Sequence, residues 1–85
     1  MKVQQRVATD VLVRDGETAV LLGDIVVRLG ELSSVLYALC EGPIDVRTLA
    51  QELESRFGAP ADRTSLRATT EAVTEMVRAG VLLDD

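Results

Sequence analysis

The chain has no histidine and no tryptophan, a single cysteine, two prolines, and one each of tyrosine and phenylalanine in 85 residues. Each shortage excludes something. A lone cysteine, Cys40, cannot close a disulfide within the chain, and without histidine the usual Cys/His zinc sites lack their ligands. The commonest general base is missing as well. With 2% aromatic residues, the core must be built from Val, Leu, Ala and Ile. No apolar run approaches the roughly 20 residues of a membrane-spanning helix. The opening "MKVQQRVATD" has no apolar centre of the kind a signal peptide carries. Positive charge is in deficit too: the net charge of −5 opposes non-specific attraction to phosphate backbones. A hydrophobic share of 47% excludes disorder. What remains is a cytoplasmic, bacterial-type protein of one domain, residues 1–85, with Met1–Gln5 expected to be flexible and neither cofactor nor metal expected.

The residues that are present begin with two hairpin signals. "VLVRDGETAVLL" sets Asp15-Gly16 between apolar runs, the signature of a type I′ turn, in which both central residues need positive φ. "AVLLGDIVVRL" follows with Gly23-Asp24, where a leading glycine suits type II′. Two-residue turns fix register. Arg14 then faces Glu17, Val13 faces Thr18 and Val11 faces Val20. Across the second turn Leu22 faces Ile25, Val20 faces Val27 and Thr18 faces Leu29. Alternation puts Val11, Val13, Val20, Leu22, Ile25, Val27 and Leu29 on a core face. Leu12, Arg14, Glu17, Ala19, Leu21, Val26 and Arg28 fall on the opposite face, which is apolar around Leu12, Leu21 and Val26. In such a meander Val11–Arg14 and Ile25–Leu29 are both edges.

Three helices follow, each stopped by a glycine. The first runs from Glu31 to Cys40 with Leu32, Val35, Leu36 and Leu39 on one stripe, and ends at Gly42-Pro43. Asp45 is a good N-cap for the second, with Ile44 and Leu49 placed as a hydrophobic staple. Its stripe is Val46, Leu49, Ala50, Leu53 and Phe57, and Gly58 ends it. After the loop "APADRTS" the third runs from about Ser65 to Ala79, with Leu66, Thr69, Val73, Met76 and Val77 inward. The tail "VLLDD" packs Val81 and Leu82 back on the core. The expected fold is α+β: a three-stranded antiparallel sheet followed by three helices (βββααα), like a winged helix-turn-helix.

No motif for chemistry stands out. "GDIVVRLG" and "GELSS" are not phosphate loops, because no G-x-G-x-x-G follows a strand and no GK[ST] occurs. Cys40, beside Leu39, reads as a small buried hydrophobe with no basic neighbour in sequence to activate it. Ser33-Ser34 has no histidine to serve it, and Glu52/Glu54 and Glu71/Glu75 read as solvated helix faces. No catalytic residue is assigned, and the chain is not expected to be an enzyme. DNA binding is the main competitor: the first two helices around "EGPID" can be read as a helix-turn-helix with the hairpins as a wing. Against that, "VRTLAQELESRF" balances Arg47 and Arg56 with Glu52 and Glu54, whereas a recognition helix presents clustered basic and amide groups. A further possibility is an interaction or dimerisation module built on Leu12, Leu21 and Val26.

The stretches "LGELSSVLYALCEG", "DVRTLAQELESRFG" and the closing "VTEMVRAGVLL" together resemble the PqqD-like family, the RiPP recognition elements. The resemblance covers about Val7 to Leu83, and the spacing from Leu29 through Leu36, Tyr37 and Leu39 to Gly42 fits without a gap. The chain departs from the family pattern in having Gly30 for the usual Asn, Tyr37 for the usual Trp, and a short second hairpin loop. The resemblance implies a non-catalytic domain that binds the leader segment of a ribosomally made precursor peptide. It would deliver that peptide to a modifying enzyme, such as a protease, cyclase or radical enzyme. The leader would add as a strand beside Ile25, Val26, Val27, Arg28 and Leu29, in the groove against the third helix. On that helix Arg67, Thr70, Thr74 and Arg78 flank Val73 and Val77 on one side, and Ala68, Ala72, Met76 and Ala79 lie on the other. Which flank lines the groove is open at this point. The threonine/arginine flank is favoured, because Arg28, Arg67 and Arg78 could meet an acidic leader. A monomer is expected, with a dimer as the alternative.

Overall fold

The computed structural model describes residues 1–84; Asp85, the last residue of the "VLLDD" tail, lies outside them. The described chain is α+β, with three helices and two small antiparallel sheets. Its elements are β1 (Lys2–Gln5), β2 (Asp10–Arg14), β3 (Glu17–Leu22), β4 (Ile25–Leu29), α1 (Glu31–Leu39), β5 (Ile44–Asp45), α2 (Val46–Phe57), α3 (Ser65–Arg78) and β6 (Leu82–Asp84). One sheet has the order β2-β3-β4 and the other β5-β1-β6.

The meander has the register that its turns dictate. Arg14 pairs with Glu17, Val13 with Thr18 and Val11 with Val20, then Leu22 with Ile25, Val20 with Val27 and Thr18 with Leu29. Asp15 and Gly16 both have positive φ, as a type I′ turn requires, whereas in the second turn Gly23 has it and Asp24 does not. The core face is occupied unevenly. Thr18, Val20 and Leu29 are buried and Leu22 and Val27 half-buried, but Val11, Val13 and Ile25 stay exposed. The helices cover the middle of the sheet and leave both margins overhanging.

The second sheet corrects the expected βββααα order. Met1–Gln5 is not a flexible lead-in: β1 is the central strand between β5 and β6, and Val3 is fully buried. Further backbone bonds tie it down, Gln5 N–H to the Cys40 carbonyl at 2.8 Å and Val46 N–H to the Met1 carbonyl at 2.9 Å. The tail behaves as its composition demands, with Val81 and Leu82 buried and Leu82–Asp84 paired to β1.

Helix ends follow local chemistry. Asp45 Oδ1 accepts from Arg47 N–H at 2.9 Å and caps α2, and Ile44 and Leu49 both join the core as a staple would place them. Thr64 caps α3 by accepting from Arg67 N–H. At its other end Gly80 N–H donates to Val77 and Val81 N–H to Met76, the Schellman pattern, with Gly80 at φ 85°. Gly30 caps α1 without a side-chain bond. Ser34, a turn inside α1, is buried and donates its hydroxyl to the Leu29 carbonyl at 3.1 Å, fastening the end of β4 to the helix. No helix among the described residues is long and apolar enough to cross a membrane.

Candidate functional site

The site begins with the hydrogen-bond parity of β4. Leu22 and Ile25 flank a two-residue turn, so they form a bonded pair, and Val20–Val27 and Thr18–Leu29 repeat it. Ile25, Val27 and Leu29 therefore spend their main-chain groups on β3. Those of Val26 and Arg28 point away from the sheet, and none has a backbone or side-chain partner among the described residues. Leu82–Asp84 do not roof this edge, because β6 is committed to β1 in the other sheet.

The opposite margin is less free. By the same parity Val11 and Val13 turn their groups outward on β2, but Val11 N–H is taken by Asp10 Oδ1 at 2.8 Å. Of the meander's two edges, β4 offers the more complete template.

Side chains around β4 divide by face. Ile25 is 60% exposed and Val26 54%, although alternation sends them to opposite faces. Val27 is half-buried against the core and Leu29 is buried. Arg28 is exposed and forms no ion pair among the described residues. Val26 and Arg28 share a shallow concavity on the outer face with Leu12, Arg14, Glu17 and Leu21. That gathers the expected apolar patch and adds charge of both signs beside it.

β4 packs on β3 and α1, whereas α3 packs on α2 and β6. Val73 is fully buried, so it anchors α3 and has no surface for a ligand; Val77 is half-buried against the same core. The threonine/arginine flank is internally engaged. Thr70 and Thr74 hydroxyls donate to the carbonyls of Leu66 and Thr70, each at 2.7 Å. Arg67 pairs with Glu71 at 3.4 Å and Arg78 with Glu75 at 2.9 Å.

On the alanine flank Met76 is buried in the core, whereas Ala68 and Ala72 are half-buried. Ala68 and Ala72 line a concavity with Leu32 of α1, Phe57 and Pro60, together with Glu71 and Glu75. Leu32 lies three residues after Leu29, so this apolar surface starts close to where β4 ends. Helical spacing assigns Leu32, Phe57 and Leu66 to the core, yet they are 42%, 43% and 40% exposed. Each sits at a helix end, beyond the reach of the packed centre, and the spacing carries no signal for that.

The cysteine thiol and the tyrosine phenol are both withdrawn from solvent. Cys40 is fully buried, and burial pushes its thiol up to about 11. Tyr37 is buried and its phenol is likewise raised by desolvation. No family model matches this chain, and neither a curated protein nor a solved structure matches it.

Proposed function

We propose that this chain is a non-catalytic, cytoplasmic peptide-binding domain of the PqqD-like kind, with a winged helix-turn-helix arrangement. It captures the leader segment of a precursor peptide by β-strand addition and presents it to a modifying enzyme. The observation that carries this reading is the outward edge of β4, unpartnered among the described residues, where Val26 and Arg28 hold main-chain donors and acceptors ready for a guest strand. Edges left in this state are a hazard that folds commonly blunt with a charge or a cover. Here Arg28 supplies a charge, but Ile25 and Val26 keep apolar surface on both faces.

A guest strand paired to β4 would alternate its side chains between the outer face beside Val26 and Arg28 and the inner side near Ile25 and Val27. Because the α3 arginines are already ion-paired, the apolar Leu32–Ala68–Ala72 surface is the better receptor for an anchoring side chain. The test is an amide-resolved NMR titration with the leader of the precursor encoded beside this protein. Val26 and Arg28 amides are expected to shift and to gain protection from exchange. Unmoved β4 and α3 signals at saturating peptide would end the proposal.

A further inference from the structure

Strand β2 departs from what a small fold usually tolerates. All five of its residues are exposed, and the three apolar ones, Val11, Leu12 and Val13, are 37%, 57% and 71% exposed. They form the second edge of the meander. Asp10 and Arg14 close the strand at its two ends, and neither has an ion-pair partner among the described residues.

The order Asp10-Val11-Leu12-Val13-Arg14 is self-complementary. Placed antiparallel to a second copy about a two-fold axis at Leu12, it sets Asp10 against Arg14 at both ends. Val11 then meets Val13 twice, and Leu12 meets itself. Main-chain parity agrees with this register. Arg14–Glu17 flanks a two-residue turn and is a bonded pair, so Leu12–Ala19 and Asp10–Leu21 are bonded too, and Val11 and Val13 turn outward. These outward residues are the ones that face each other across the axis, each couple able to exchange both main-chain bonds. A slip of one residue sets outward groups against inward ones. A slip of two keeps bonds but loses both charge pairs. The Asp10 carboxylate that now holds Val11 N–H would be released to Arg14 of the second copy.

We infer that this chain forms an isologous homodimer through β2, joining two three-stranded meanders into one continuous six-stranded sheet with Leu12 on the two-fold axis. Charge complementarity selects a second copy as occupant. Both valines leave water on the inner face, where the groove between β2 and α1, lined by Val35, Tyr37 and Ala38, continues the apolar surface. The inference does not depend on the peptide reading, since both β4 edges stay free at the outer rims. An edge contact of this length falls short of the roughly 1,200–2,000 Å² of a standard interface, so association is weak and concentration-dependent.

Sedimentation velocity over a low-micromolar to millimolar series reads it directly. The mass is expected to rise from the 9.2 kDa of one chain toward twice that. Arg14→Asp and Asp10→Arg each set like charges opposite one another and should weaken association about tenfold or more. The double exchange, Asp10→Arg with Arg14→Asp, should restore it. A mass of one chain throughout, or no rescue by the exchange, overturns the inference. Leu12→Cys adds a register test, because a directly opposed non-bonded pair has Cα atoms about 4.5 Å apart, within disulfide reach. Under mild oxidation it should cross-link as a dimer while Val26→Cys does not. Equal cross-linking through Val26→Cys would move the interface elsewhere and sink the assignment.

Discussion

Adjacent valines in β4 have opposite main-chain duties. Val27 N–H belongs to the ladder with Val20, and Val26 N–H points to solvent. Proline separates them, because it deletes the N–H wherever it is placed. Val26→Pro should leave the fold intact, with a small loss of melting temperature, and weaken leader binding about tenfold or more by removing one guest bond and obstructing the next. Val27→Pro should break the ladder with β3 and strongly destabilise or unfold the domain. Circular dichroism melts with peptide titrations check both, and equal stability losses would mean the parity is wrong. Cys40 gives a second test at this scale. Its thiol is raised from 9.0 to about 11 by burial, so the unfolded chain ionises first as pH rises. The stability held in the neutral buried thiol is fully present below about pH 9 and is lost as pH climbs through about 11. Cys40→Ala should flatten that alkaline decline. At pH 8, labelling of Cys40 by a thiol reagent should follow global unfolding, and fast labelling of native protein would contradict its burial.

Small elements weigh heavily in a chain this short. β1 contributes one fully buried side chain, Val3, but it also joins β5 to β6, and the carbonyl of Met1 just before it accepts from Val46 N–H. Burying a valine stabilises by about 1.5–3 kcal/mol, and each kcal/mol moves the melting temperature of a domain this size by about 4–8 °C. Deleting Met1–Gln5 should therefore lower the melting temperature by about 10 °C or more. A scanning calorimetry trace unchanged by the deletion would show β1 to be dispensable. This strand was illegible in sequence for a physical reason. "KVQQ" has too little alternation to declare itself, and its partners lie at residues 44–45 and 82–84, so long-range pairing decides it. The meander was legible down to each facing pair, because Asp15-Gly16 and Gly23-Asp24 are local instructions. The helices were legible within a residue at their ends, through Asp45, Gly58 and Gly80. Exposure was not. Val11, Val13, Ile25, Leu32, Phe57 and Leu66 fit an apolar stripe or face, yet whether an apolar residue is covered depends on how far the neighbouring elements reach. The first five mark the surfaces on which both proposals rest.

Across the whole molecule, charge separates the proposed peptide guest from a nucleic acid by what each would require. The net charge is −5. On the helices Arg56, Arg67 and Arg78 are each beside a carboxylate, as is Arg63 just before α3, and Arg47 is the one helix arginine with no ion pair among the described residues, so the helices present mixed charge instead of a basic stripe. Exposed pairs of this kind add little stability, but they do lower the field that a phosphate backbone would meet. Arg28 is free of such a partner among the described residues, and one cation beside a strand edge suits a carboxylate on a guest peptide better than a duplex. The two modes differ sharply in salt dependence. A protein that makes 6–10 phosphate contacts loses roughly 10³–10⁵ in affinity between about 50 and 200 mM salt. Binding held by main-chain pairing and apolar contact, with one charge pair at its margin, should change less than about tenfold over that range. Isothermal titration of the leader peptide at both salt concentrations, beside retention on an arbitrary duplex, makes the comparison. Tight duplex binding that collapses with salt and is lost in Arg47→Gln and Arg56→Gln would make α2 the working surface. In that event β4 would be only an edge protected by its arginine.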